Sequence, residues 1–356
     1  MNEREARAVL SIASEPGDER VGALVAQYGA VEALSMVSKG QLRGAIRDRV
    51  GKALTNSALD RAMGRLSEVG GVFVTPEDPA WPAHLGDLDL AAPLGLWCRG
   101  LGDVNELVRN SLAVVGARAA TAYGERIASE VGSLAADHVV TVISGAAYGI
   151  DAAAHRGVLA GGGRTIAVLA CGVDVAYPSA HRGLLERVTE HGLIVSEAPP
   201  GGQPHKRRFL VRNRLIAALS SATLVVEAAL RSGSLSTANW ANVLGRPVWG
   251  VPGPLSSATS AGVHVGIAQG EMNIVADLAH VIATVKPDQA VGSRQLSEKE
   301  LRILNALSKK SLSTDELITE LRSANTSRSA HEVLGALTML EMQGVIAQTA
   351  SGWKLV

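Results

Sequence analysis

Apolar positions along this chain change their spacing three times, and each change predicts a different kind of structure. In residues 1–70 they recur every three or four positions, punctuated by Gly22, Gly29 and Gly40. That spacing predicts short helices at Arg4–Ile12, Val21–Tyr28, Ala30–Val37 and Ser57–Val69, forming a small helical module. A helix-hairpin-helix grip on phosphate is one reading of it; simple packing is the favoured one. From about 72 to 100 the prolines Pro76, Pro79, Pro82 and Pro93 oppose regular helix, and Gly95–Arg99 reads as a strand.

Short runs that are apolar at every position then take over, as in parallel strands covered on both faces. They predict strands at Leu112–Gly116, Val139–Ser144, Thr165–Ala170, Leu193–Ser196, Thr223–Glu227 and Pro247–Val251. Helical spacing fills the gaps, at about 122–137, 148–161, 179–190, 211–220 and 233–244. The alternation defines an α/β core over 71–285: a Rossmann-like doubly wound, mostly parallel sheet, with ligands expected at the carboxyl ends of its strands. Residues 286–295 read as a polar linker. Within 296–356, Ser297–Leu307, Thr314–Ser323 and Ser329–Gln343 predict three helices, with Ser297 and Glu300 at capping-box spacing. Two short strands around Ala350–Gly352 complete the pattern of a winged helix. Charge in this last segment is roughly matched, and its third helix carries Glu332 and Glu341, so reading a DNA groove is doubtful and a protein contact at least as good a role.

Charge narrows the function. Lys and Arg number 34 and Asp and Glu 34, which excludes a uniformly basic DNA binder and leaves only a local patch. Cys98 and Cys171 are the only cysteines and have neither zinc-site nor disulfide spacing. No apolar run of membrane-spanning length is expected, and the charged start MNEREARAVL is unlike a signal peptide. A cytoplasmic, reduced protein without membrane insertion follows.

The patch is Pro204–Arg214, where Lys206, Arg207, Arg208, Arg212 and Arg214 gather without a carboxylate around Phe209, one of two phenylalanines in the chain. Cations suit phosphates, and an aromatic face suits an unpaired base. A solvated basic helix start is the plain alternative. Three other turns that follow strands change the balance. Gly116 to Arg118 opens one helix, Ser144, Gly145 and Gly149 precede another, and Gly233 and Ser234 lie in Arg231–Thr237 before a third. Each offers helix-terminal amides to an anion. Together with Arg212, Asn213 and Arg214, expected at the start of a helix, they would line one groove. Asp151 and His155, four apart, are compatible with a catalytic pair or metal ligands, but more often such a pair orders a helix start. Cys171 reads as a small buried residue and Tyr177-Pro178 as a loop fixture. No dinucleotide fingerprint and no lysine-bearing phosphate loop is present, so no cofactor, metal or catalytic residue is assigned.

The strings GARAATAYG at 116–124, SGAAYGIDAAAH at 144–155, CGVDVAYP at 171–178, SEAPPG at 196–201, FLVRNRLIAALS at 209–220 and VVEAALRSGSLSTA at 225–238 resemble the DNA-processing protein A (DprA/Smf) family. The resemblance is dense over about 80–290 and looser at both ends. It implies a homodimer that binds single-stranded DNA without base specificity, protects it and loads the RecA recombinase onto it in natural transformation, with no catalytic step. It also implies that Arg118 and the amides near Gly116 and Gly145 hold phosphates, Lys206 a phosphate and Phe209 a base, with Arg212 and Arg214 on an Arg-Asn-Arg motif in which one arginine is structural. Leu210 stands where the family commonly has proline, His264 where Asn is usual, and Gly266 replaces a larger apolar residue. Two other readings are weighed against this one. Nucleotide-cleaving look-alikes carry a Pro-Gly-Gly-x-Gly-Thr loop absent from Arg231–Thr237, though Asp151 and Glu227 would supply acids. A transcription regulator would prefer duplex DNA, against the neutral charge of the tail.

Overall fold

A computed structural model describes residues 1–42, 46–55, 57–285, 298–307, 311–323, 346–349 and 352–355, with 333, 334, 337 and 340 between them. The chain divides into two compact units, Met1–Asp288 and Gln289–Val356. The expected linker at 286–295 lies outside the described residues, as does Ser297.

The first unit holds a nine-stranded sheet: β1 Val72–Val74, β2 Leu96–Gly100, β3 Ser111–Val115, β4 Thr141–Ser144, β5 Thr165–Leu169, β6 Leu193–Ser196, β7 Ala222–Val225, β8 Val248–Gly250 and β9 Asn273–Ile274. Their order is β1-β2-β6-β5-β4-β3-β7-β8-β9. From β6 to β9 all pairings are parallel, while β1 with β2 and β2 with β6 run antiparallel. The chain winds outward from β3 through β6, then returns to lay β7 on the other side of β3. The carboxyl ends of β3 and β7 therefore flank the switch point, where doubly wound sheets bind ligands.

Alternate residues of the central strands feed opposite cores. Leu112 and Val114 of β3 enter one apolar cluster and Ala113 and Val115 the other, as do Val142 and Ile143 of β4. A strand buried on both faces has no polar alternation, which is why its sequence is apolar throughout. Each fully buried valine or leucine contributes about 1.5–3 kcal/mol.

Four helices form the amino-terminal module: α1 Glu3–Ala13, α2 Glu19–Ser38, α3 Ile46–Thr55 and α4 Ala58–Glu68. The sequence reading missed α3, whose run IRDRVGKALT is broken by charge and glycine. By length and composition α2 is long and apolar enough to cross a membrane, where no such run was expected. It is broken at Gly29 (φ 77°), however, and turns Val21, Val25, Ala30, Ala33, Leu34 and Val37 into the module's own core. The remaining helices of the unit are α5 Val104–Val108, α6 Ala122–Asp137, α7 Ile150–Ala160, α8 Arg182–His191, α9 Lys206–Ala218, α10 Leu235–Val243, α11 Ala261–Ala268 and α12 Leu278–Thr284. A 3-10 stretch, Ala83–Ala91, crosses the proline-rich connector.

The second unit contains α13 Glu298–Leu307, α14 Thr314–Ser323 and the hairpin of β10 Ile346–Thr349 with β11 Gly352–Leu355. The expected helix Ser329–Gln343 falls largely outside the described residues, but its Val333, Leu337 and Leu340 are buried with Leu317 and Trp353.

Candidate nucleic-acid interface

The turns after β3, β4 and β7 do meet. With α9 they line an open cleft, bordered by Gly116, Arg118, Phe209, Arg212, Asn213, Gly233 and Ser234 among others. Glycine is required where the turns cross. Gly149 has φ +72°, and a Cβ there would collide with the carbonyls of Ala117 and Arg118. The Ile150 amide donates to the Ala117 carbonyl (3.2 Å), tying the first two turns together. On the far side, the Asn213 Nδ2 donates to the Gly233 carbonyl at 3.0 Å and fastens α9 to the turn before α10.

A second, smaller cavity adjoins the first, lined by Arg118, Gly145, Ala147, Tyr148, Cys171, Tyr177, Pro178 and Phe209 with their neighbours. Arg118, Ala147 and Phe209 line both and so form the wall between them. The Phe209 ring lies 5.4 Å from that of Tyr177, tilted 45°, and the Arg118 guanidinium sits 5.2 Å from its centroid. Such a cation over a ring is worth about 0.5–1 kcal/mol where exposed. Tyr177, expected only as a loop fixture, is therefore part of the site. With four tyrosines and two phenylalanines in 356 residues, an aromatic in a turn after a strand was the signal available. Cys171 is buried as expected, its thiol pushed up to about 12 chiefly by that burial.

Helix α9 begins at Lys206, five residues before the expected start, and this corrects the reading of its cations. Arg212 and Arg214 do not open the helix; they lie in its second and third turns and point into the protein. The sequence hid this because polar residues occupy inward positions, which erases the apolar period. Arg214 is 2% exposed, paired bidentately with Glu197 (8% exposed) at 2.6 and 2.7 Å, and donates to the Ala91 carbonyl at 3.1 Å. It lines neither cavity, so it is a structural member and not a groove contact. Arg212 is also buried but borders the cleft, donating to the Val168 carbonyl beneath the turn after β4. Burial brings its guanidinium down to about 10, partly offset by Asp151. Gly145 is glycine because a Cβ would strike that guanidinium.

Other expectations on this turn change as well. The Gly145 and Ala147 amides donate to Asp151 Oδ2 at 3.1 and 3.3 Å, so they are occupied by a carboxylate of the protein itself. Burial pushes the Asp151 carboxyl up, against the pull of Arg212 and those amides. The Ser144 hydroxyl is buried and donates to the Val114 carbonyl at 2.6 Å. Neither Ser144 nor Gly149 lines either of these two cavities; both shape the turn. His155 is fully buried, with Nδ1 2.7 Å from the Thr165 hydroxyl, and burial lowers it to about 3. It is a neutral core residue and no partner of Asp151. Glu227 accepts from the Thr121 amide (2.9 Å) and hydroxyl (2.5 Å), bracing the start of α6.

Lys206 stands outside both cavities, exposed on the first turn of α9 and one turn from Phe209. Arg207 is exposed beside it, whereas Arg208 is held by Glu15 of the amino-terminal module at 2.9 and 3.2 Å. The unusual His264 bonds to the Gly253 carbonyl at 3.0 Å, and Gly266 leaves room for Met272.

The fold and this site define a doubly wound α/β protein with a guanidinium- and aromatic-walled cleft at its switch point, followed in the chain by a second, smaller unit. A family model for DNA recombination-mediator protein A matches residues 72–286, and one for the DprA winged helix domain matches 287–352. The putative DNA processing protein DprA of Mycobacterium tuberculosis is 38% identical over 370 residues, covering 98% of this chain and 93% of the relative. The chain belongs to the DNA recombination-mediator protein A (DprA) family. Among solved structures, that of DprA from Streptococcus pneumoniae superposes with a TM-score of 0.68 at 29% identity, over 80% of this chain and 98% of that one. DNA processing protein A from Helicobacter pylori, a structure described for its single-stranded DNA binding mode, gives a TM-score of 0.55 at 28% identity, over 61% and 96% of the two chains.

Proposed function

We propose that this chain binds single-stranded DNA without base preference, protects it and loads the RecA recombinase onto it in natural transformation or recombination. In this reading it acts as a cytoplasmic homodimer and performs no catalytic step. The observation that carries the DNA part is the shared wall of Arg118 and Phe209 between two cavities, with exposed Lys206 one turn away. A guanidinium and an ammonium suit phosphates, and an aromatic edge suits a base of any identity. The non-enzymatic part is supported by the carboxylates: Asp151 and Glu227 are each engaged by protein donors. Recombinase loading and dimerisation rest on membership of the family.

The test is an anisotropy titration with oligo-dT across a salt series. Replacing Arg118 and Lys206 by alanine should lower the affinity and reduce the salt slope by about 0.7 for each phosphate no longer neutralised. Unchanged affinity and slope in the double variant would overturn the cleft as the binding site. Base release from nucleoside monophosphates, abolished by Glu227→Gln, would instead favour an enzyme.

A further inference from the structure

The amino-terminal module and the start of α9 form a second cationic surface beside the cleft. The Glu15 carboxylate lies between Arg208 and Arg49, accepting from Arg208 at 2.9 and 3.2 Å and from Arg49 Nη1 at 3.4 Å. Arg208 is the main reason the Glu15 carboxyl is held below its ordinary range. Further along, Arg65 of α4 lies 3.3 Å from Asp174. Its guanidinium closes over Gly201, where a Cβ would come within 3.3 Å of it. Arg49 and Arg65 remain 42% and 56% exposed, and Lys206 and Arg207 are exposed at the start of α9. Three guanidinium groups, Arg208, Arg49 and Arg65, thus share two carboxylates, Glu15 and Asp174.

The surface is continuous with the second cavity. The Asp174 carboxylate accepts from the Gly201 amide at 2.7 and 3.0 Å, and the Gly172 amide donates to the Gly202 carbonyl at 2.8 Å. These bonds join the 171–178 turn, which carries Tyr177 into the cavity, to the segment that leads into Lys206. We infer that single-stranded DNA leaving the cleft continues over this ridge, its phosphates meeting Arg65, Arg49 and Arg208, with Glu15 occupying the place of a phosphate when DNA is absent. The inference rests on the proposed single-strand binding and adds a second segment of the path, supplied by the helical module. An excess of guanidinium groups at partly exposed positions fits a phosphodiester backbone, since their charge and planar donors match phosphate oxygens.

Two lengths of oligo-dT separate the segments: about 6 nucleotides, enough for the cleft, and about 24, enough to run on. With the full chain, Arg49→Gln and Arg65→Gln together should leave the short-oligonucleotide affinity unchanged. They should weaken the long one by about fivefold per arginine in 0.1 M salt, and lower its salt slope by about 0.7 per arginine. Glu15→Gln should tighten long-oligonucleotide binding by unmasking Arg208 and Arg49. Equal losses on both lengths in either variant would mean that these residues only hold α9 in place, and would overturn the inference. So would unchanged long-oligonucleotide binding in the double glutamine variant while Lys206→Ala still weakens it, a result that leaves the cleft reading standing. If Lys206→Ala and Arg118→Ala together change nothing at either length, the cleft reading fails instead.

Discussion

Replacing Arg214 separates architecture from DNA contact within a single motif. Its guanidinium and the Glu197 carboxylate are almost fully buried and bidentate, and Arg214 Nε also donates to the Ala91 carbonyl. Arg214→Met leaves the Glu197 charge buried without its partner, a loss of about 3–5 kcal/mol. For a unit of this size each kcal/mol moves the melting temperature by about 2 °C, so a fall of about 6–10 °C is expected. Adding Glu197→Gln removes the stranded charge, and Arg214→Met/Glu197→Gln should regain a large part of the loss. Well below the transition, oligo-dT affinity of both variants should stay within about twofold of the parent, because Arg214 lines neither cavity. Differential scanning calorimetry and anisotropy on the same preparations read the two effects. An Arg214→Met protein that keeps its melting temperature but loses tenfold in affinity would refute the assignment.

Two further outcomes follow from the same geometry. Phe209→Ala should cost about 1–3 kcal/mol of oligo-dT affinity if one base stacks there, and a loss near zero in titration would reject stacking. His155 sets a pH dependence: its folded value is about 3 against 6.5 when free, so between those limits the unfolded chain binds the extra proton and stability falls as pH falls. From pH 6.5 to 5 the loss is about 2 kcal/mol. Urea titrations of His155→Gln should show that part of the slope removed, and an unchanged slope would contradict it.

The central sheet was legible because strands such as β3 are apolar on both faces, and the turns after β3, β4 and β7 were legible from their glycines. What glycine did at each position was not. Gly145 looked like an opening for phosphate, but it makes room for Arg212, a neighbour 67 residues away that spacing cannot reveal. Helix α9 was misplaced because Arg212, Asn213 and Arg214 face inward, and inward arginines carry no apolar period. Glu15 with Arg208, and Glu197 with Arg214, pair residues distant or close in sequence through tertiary packing alone. Tyr177 was passed over because a single aromatic beside proline has no local pattern to announce a cavity.

The packing of Phe209 against Arg118 and Tyr177 bears on the proposed binding of a single strand. A lone aromatic at a cleft mouth would sample several rotamers and tend to collapse onto whatever apolar surface lay nearest. Phe209 instead packs against a guanidinium and a phenol ring, contacts that favour its present rotamer. Under the proposed binding, a strand would have little side-chain freedom of Phe209 left to freeze, and would exchange one planar neighbour of the ring for another. A base of any shape could make that exchange, so the indifference to sequence proposed for this cleft would begin in the packing of its own side chains.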